Sequence, residues 1–335
     1  MFRGVRLPSA GVSVVLTVLI FATASIAQTS INDVHITPRE TSITETPGAA
    51  SHLDKGISLI RSNVELVTVP VTITDAMNRP VTGLERDNFQ VFENKQPQEI
   101  KNFSSEDTPV SIGIILDVSG SMANKIERAR EAVREFCDAS NPQDEFFIIT
   151  FSDEPRLASD FTNRPEEVEN ALLGAQPKGR TSLLDAIYMG IRRMKNARYT
   201  RRALLIISDG GDNHSRYTER DVKNAVREAD VLIYAVGTYD RYANTQEELL
   251  GPGLLQDVAG VTGGQSYTIT NVNELPQVTR SIGTRLRHQY MLTYRPQSRS
   301  RDGKWHKISV KLLLPKRWSS FLSVNARTGY YAGSE

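Results

Sequence analysis

Four short, nearly uninterrupted apolar runs, at 112–116, 146–151, 203–207 and 231–236, constrain this chain more than any other feature. A strand lacking polar alternation must be covered on both faces, which suits a parallel sheet buried under helices. The stretches between the runs supply those helices. One carries the stripe Ile126, Ala129, Val133, Phe136 and Cys137, and a second carries Leu184, Ile187, Tyr188, Ile191 and Met194. A third carries Val222, Ala225, Val226 and Ala229, with Thr218 placed to cap its start. Strands alternating with helices in this way predict a doubly wound, mostly parallel α/β sheet with helices on both faces. A weaker helix is expected over 249–261, stopped by Gly263-Gly264, and a longer one over 273–287.

The flanks read differently. Val67, Val69, Val71 and Ile73 alternate with polar residues from about Val64 onward, the period of a half-buried strand, and Pro70 suggests that it lies at a sheet edge. Short β segments follow through 89–92 and 100–103. After the last helix, strands are expected at 290–294 and 306–312, around a turn holding Asp302-Gly303, and at 321–326. Neither flank alone buries a core, so the two should pair across the α/β segment into a small β-sandwich-like module. The resulting division is 59–108 and 288–335 for the β module, with 109–287 inserted between them.

Residues 1–27 have the form of a signal peptide: Arg3 and Arg6, an apolar run over 12–22, and Ser25-Ile26-Ala27 ahead of a cleavage site after Ala27. The apolar run falls short of the roughly 20 residues that span a bilayer, so cleavage is favoured over an uncleaved anchor. Export to a periplasm or beyond the cell follows, with no membrane span left after cleavage. A Thr-, Ser- and Pro-rich flexible leader is expected over 28–58. Cys137 is the single cysteine, which excludes an internal disulfide and, on its apolar stripe, reads as an inert buried thiol. Forty basic residues against 39 acidic ones give no field that would favour nucleic acid as a partner. Basic residues do cluster locally, at Arg192, Arg193, Lys195, Arg198, Arg201 and Arg202, and again through the C-terminal β segments. Solvation and helix-end complementarity explain most such clusters; an anionic cell-surface polymer is the sharper alternative.

Chemistry concentrates where the apolar runs end. Asp117-Val118-Ser119-Gly120-Ser121 follows the first run, Ser208-Asp209-Gly210 follows the third, and Gly179-Arg180-Thr181 precedes a helix between them. In an open α/β sheet all three segments lie at the carboxyl edge, where ligands bind. Asp and Ser in one such segment alone read as caps of the next helix, but three segments together supply three hydroxyls and two carboxylates, an oxygen set suited to a hard divalent cation. Magnesium is expected first, with manganese or calcium as alternatives. If Ser119, Ser121 and Thr181 bind directly while Asp117 and Asp209 act through water, the cation stays electrophilic and accepts an Asp or Glu carboxylate from a partner protein. Gly120, Met122, Arg180, Gly210, Asp212 and His214 are the candidate partner contacts around it.

These residues, in this order, resemble the metal-ion-dependent adhesion site of the von Willebrand factor A family, with its Asp-x-Ser-x-Ser, Thr and Asp motifs. The resemblance covers about 109–287. Together with the flanking segments and 208–213, it is similar to an exported bacterial group of A-domain proteins. It implies a non-enzymatic adhesion or protein-binding role. Two other readings stand beside it: a scaffold in which the metal only rigidifies loops, and a magnesium-dependent phosphatase resembling the haloacid dehalogenase type. The phosphatase needs an acid two residues after its nucleophile, where this chain has Ser119.

Overall fold

The computed structural model describes residues 66–209, 211–239, 246–297 and 302–332, all within the compact unit Arg61–Glu335. The expected signal peptide and leader, and Val64 where the β pattern begins, lie outside the described residues.

The chain opens with β1 (Val67–Thr74), β2 (Phe89–Glu93), β3 (Gln96–Gln98) and β4 (Ile100–Ser104). The α/β body follows: β5 (Ser111–Asp117), α1 (Ile126–Ala139), β6 (Glu145–Phe151), β7 (Pro155–Thr162), α2 (Pro165–Leu173), α3 (Leu183–Arg193), β8 (Arg202–Ser208) and α4 (Glu219–Glu228). It continues through β9 (Leu232–Thr238), α5 (Gln246–Thr262), β10 (Ser266–Ile269) and α6 (Leu275–Arg287). The chain then returns to β structure with β11 (Tyr290–Tyr294), β12 (Trp305–Leu312), the single turn α7 (Lys316–Ser319), β13 (Ser323–Ala326) and β14 (Gly329–Tyr331).

The central sheet has the order β10-β9-β8-β5-β6-β7, parallel throughout except for β7, which runs antiparallel on β6. Its apolar runs are covered on both sides, and every residue of β5 and β9 is buried. One face packs against α1, α2 and α6, the other against α3, α4 and α5. Helices α1 and α6 approach closely: a Cβ on Gly283 would lie 2.9 Å from the Phe136 carbonyl oxygen, and Thr279 Oγ1 donates to Ala132 O at 2.8 Å. Phe136 is fully buried at this seam, where truncation to Ala costs about 3–5 kcal/mol. Cys137 is buried beside it.

The flanking segments form two four-stranded antiparallel sheets, β13-β1-β11-β4 and β14-β12-β2-β3. Each sheet mixes strands from before and after the α/β body. One apolar core joins them through Val69, Val71, Phe89, Val91, Tyr290 and Leu292, with Phe89 and Tyr290 rings 5.0 Å apart. The α/β body thus leaves from β4 and returns at β11, its neighbour in the same sheet.

Two expectations need correction. Strand β1 is not at an edge, since it pairs with both β11 and β13; Pro70 is tolerated because the β13 ladder begins only at Val71, so its missing N–H costs no bond on that side. The turn at Asp302-Gly303 does not close a hairpin, because β11 and β12 belong to different sheets, although Gly303 does take the positive φ expected of it, +63°. The structure also adds β7, α2, β10 and β14 to the elements read from sequence. Trp305 packs edge-on against Tyr331 with centroids 5.1 Å apart, while the Trp318 side chain lies outside the described residues.

Candidate metal centre

Strand order reverses at β5: its successor β6 lies on one side, and β8 lies on the other. The loops leaving β5 and β8 therefore diverge across the sheet and open a crevice at their carboxyl ends. Asp117, the last residue of β5, sits at its floor with no exposed surface. Its Oδ1 accepts the Ser119 backbone N–H at 2.8 Å, and its Oδ2 accepts the Ser208 hydroxyl at 2.7 Å. The carboxylate is thereby fixed by the following loop on one side and by the neighbouring strand on the other. Burial, and next the nearby charge of Asp209, push its pKa up to about 6, against the opposing hydrogen bonds from Ser119 and Ser208.

A second chain of contacts runs across the crevice. Ser119 Oγ and Ser121 Oγ lie 3.0 Å apart, Ser121 Oγ donates to Asp209 Oδ1 at 2.9 Å, and Lys125 Nζ donates to Asp209 Oδ2 at 3.0 Å. Lys125 and Asp209 form a buried ion pair, their side chains 9% and 6% exposed.

The third segment is laced onto the first. Lys178 N–H donates to Val118 O at 2.9 Å, and Gly120 N–H donates to Gly179 O at 3.1 Å. Gly179 adopts φ +83°, and a Cβ there would lie 2.5 Å from the Asp153 carboxylate, which accepts the Arg180 N–H at 2.9 Å. Thr181 is buried at the end of this turn. Its N–H donates to Asn213 Oδ1 at 3.0 Å, and its carbonyl accepts the N–H groups of Asn213 and His214. Its hydroxyl makes no hydrogen bond among the described residues.

The structure brings Asp117, Ser119, Ser121 and Asp209 together by direct hydrogen bonds, with Thr181 on the loop tied to theirs. The donor set fits a hard cation: hydroxyl and carboxylate oxygens, one hydroxyl uncommitted, and two acids close enough to raise the pKa of one. Among the described residues no group of three or more His, Cys, Asp or Glu side chains is placed to hold a metal ion, so the fit rests on the hydroxyl oxygens together with the two acids.

The candidate contact residues separate. Gly120, Arg180 and His214 are exposed, with Arg180 Nη1 and His214 Nδ1 3.4 Å apart. Met122 is fully buried. Asp212 is turned inward, accepting the Leu184 N–H at 2.8 Å and the Ser215 hydroxyl, and so secures the start of α3. Gly210 lies outside the described residues. Sequence reading passed over Lys125 and Asp153, and gave Ser208 and Asn213 no separate role. Only Ser208 had a visible signal, its place beside Asp209 at a strand end.

Comparison with known proteins bears on the same segment. Residues 112–211 match the family model described as the von Willebrand factor type A domain. The chain is 28% identical over 134 residues to human (Homo sapiens) inter-alpha-trypsin inhibitor heavy chain H4, covering 36% of this chain and 14% of that protein. An uncharacterised protein of Borreliella burgdorferi is 22% identical over 184 residues, covering 48% of this chain and 54% of that one. The chain thus spans well under two thirds of the curated relatives it matches. Among solved structures, a von Willebrand factor type A protein from Catenulispora acidiphila aligns with TM-score 0.47 at 12% identity, over 82% of this chain and 75% of that one. The vWF domain of the type V pili tip protein Mfa5 from Porphyromonas gingivalis aligns with TM-score 0.43 at 12% identity, over 52% and 95%.

Proposed function

We propose that this chain is an exported, non-enzymatic binding module that takes up a divalent cation, magnesium first among the candidates, and uses it to hold an Asp or Glu side chain of a partner protein. The observation that carries the reading is the meeting of Asp117, Ser119, Ser121 and Asp209, from two loops, in the crevice where the strand order reverses, with Thr181 and its uncommitted hydroxyl on a third loop tied to the first. Von Willebrand factor type A domains are generally interaction modules, which supports a binding role over a catalytic one.

Ser119, Ser121 and Thr181 would hold the ion directly, and Asp117 and Asp209 through water. When bound, the cation supplies a Lewis-acidic position for a carboxylate. The protein's own groups prepare that position. Ser208 and the Ser119 N–H keep Asp117 oriented, and Lys125 offsets the charge of Asp209, so little net negative charge surrounds the ion. Exposed Arg180 and His214 border the same loop and offer donors to an arriving acid. Asp117 has no exposed surface, which disfavours its use as a phosphatase nucleophile. Among the described residues no helix is long and apolar enough to cross a membrane; export rests on the signal-like residues 1–27.

Calorimetric titration of EDTA-stripped chain with Mg²⁺, Mn²⁺ and Ca²⁺ tests the ion. Pull-down from envelope or secreted extracts, with and without EDTA and with Asp117→Ala and Thr181→Ala, tests the capture. Loss of the same partner under all three conditions is expected. Undiminished recovery would overturn carboxylate capture even if stability fell.

A further inference from the structure

A second cavity, of about 140 Å³, lies at the opposite end of the central sheet, beneath the amino ends of β5, β8 and β9 and against β1, β11 and β12. At about 3.3 Å per residue, the seven residues of β5 hold it roughly 20 Å from the Asp117 crevice. It unites basic residues that are far apart in sequence: Arg201 and Arg202 at the start of β8, Arg227 from the last turn of α4, and Arg327 from the turn before β14.

Four arginines face this space against one acid, Asp230. Two of the four are committed. Arg201 donates to Thr108, to Leu286 O and to Gln289 Oε1, and Arg327 pairs with Asp230 at 2.8 Å and donates to Gly329 O. Arg202 and Arg227 have no hydrogen-bond or ion-pair partner for their side chains among the described residues. The Arg202 Nε is buried as well as unpartnered, an arrangement that costs free energy until an acceptor arrives. Helix-end complementarity accounts for Arg227 at the close of α4 but not for a buried donor on the first residue of a strand. Val231, Leu286, Met291 and Trp305 give the wall an apolar part, beside the polar Thr68, Thr200, Thr262 and Gln289.

The geometry points to a binding site for a small organic carboxylate with an apolar stem, received by Arg202 and Arg227 in the seam between the α/β body and the antiparallel sheets. A guanidinium matches a carboxylate bidentately, and the apolar part of the wall, Val231, Leu286, Met291 and Trp305, accepts the stem. A space of this size admits a body about as large as a benzene ring, which excludes a polymer chain as the occupant of the cavity itself. The site is independent of the candidate metal centre.

Calorimetric titration of the full chain with benzoate and hexanoate, using benzamide as the neutral isostere and sulfate as the compact anion, tests this. Saturable binding of a carboxylate to one site per chain is expected, with Kd at or below about 1 mM. Benzamide and sulfate should bind at least about tenfold more weakly, EDTA should change nothing, and Arg202→Gln or Arg227→Gln should each weaken binding about tenfold or more. If Arg202→Gln fails to fold by circular dichroism, Arg227→Gln carries the test from its half-buried helix position. Absence of carboxylate binding, equal binding of benzamide or of sulfate, or undiminished binding in a folded arginine variant would each overturn the assignment.

Discussion

Replacing Lys125 with Met examines the candidate metal centre through a residue that supplies no oxygen to it. The ammonium lies 3.0 Å from Asp209 Oδ2, both side chains are more than nine-tenths buried, and Met preserves most of the aliphatic stem. At an effective dielectric of about 20, the pair's gross attraction is about 5 kcal/mol. Removing one member of a buried pair costs about 3–5 kcal/mol, chiefly because the remaining charge is left in a poor solvent. In EDTA, Lys125→Met should therefore lose about 3–5 kcal/mol of unfolding free energy. Divalent cation should return part of it, since Asp209 then answers to the ion alone and the variant binds metal more tightly. Each tenfold gain in affinity adds about 1.4 kcal/mol to the stability at saturating metal. Urea unfolding of wild type and variant, in EDTA and in saturating Mg²⁺, measures both quantities. A deficit below about 1 kcal/mol in EDTA would refute the buried-pair argument. A deficit of the same size in both media would show that Lys125 and the ion do not share Asp209.

Gly179→Ala should destabilise the chain by at least about 1–2 kcal/mol and weaken metal uptake, because φ +83° is strained for any L side chain and the added Cβ meets Asp153; unchanged urea midpoints and metal isotherms would count against that geometry. His306 should make stability depend on pH. Burial lowers its pKa, but hydrogen bonds to Glu93 at 2.7 Å and Asp302 at 3.2 Å outweigh burial and hold it above the ordinary 6.5. Its stabilising contribution is thus complete below pH of about 6.5 and lost as pH rises through the elevated value, so the stability gap between wild type and His306→Gln should narrow upward across that range; a constant gap would refute the assignment. Burial also pushes the Cys137 thiol far above its usual range, and iodoacetamide should label it only after unfolding; rapid labelling of the native chain would contradict its placement.

What sequence made legible was set by locality. The apolar runs of β5, β6, β8 and β9 announce themselves because burial on both faces leaves no polar register, and Thr218 caps α4 as expected, with Asp221 completing a capping box. Strand β7 was missed because an edge strand with no buried residue carries no continuous apolar signal. Pro70 misled because a proline reports only one missing donor; a strand can be interior and still lack a neighbour at a single residue. Asp302-Gly303 supplied turn chemistry without revealing which strands the turn joins. In the crevice, the oxygen donors were legible as residue types at strand ends. Lys125 was not, since a lysine in a polar loop looks solvated until tertiary packing folds it onto Asp209.

The return of the chain beside its point of departure has a mechanical meaning. Ser104, at the end of β4, stands opposite Met291, near the start of β11. A pull transmitted from a captured partner would draw on both strands from the same end and in the same direction. The ladder between them would feel little relative sliding, and the load would divide between two strands before reaching β1. A module built this way resists tension by sharing it, where a single linker would concentrate the whole force on one strand.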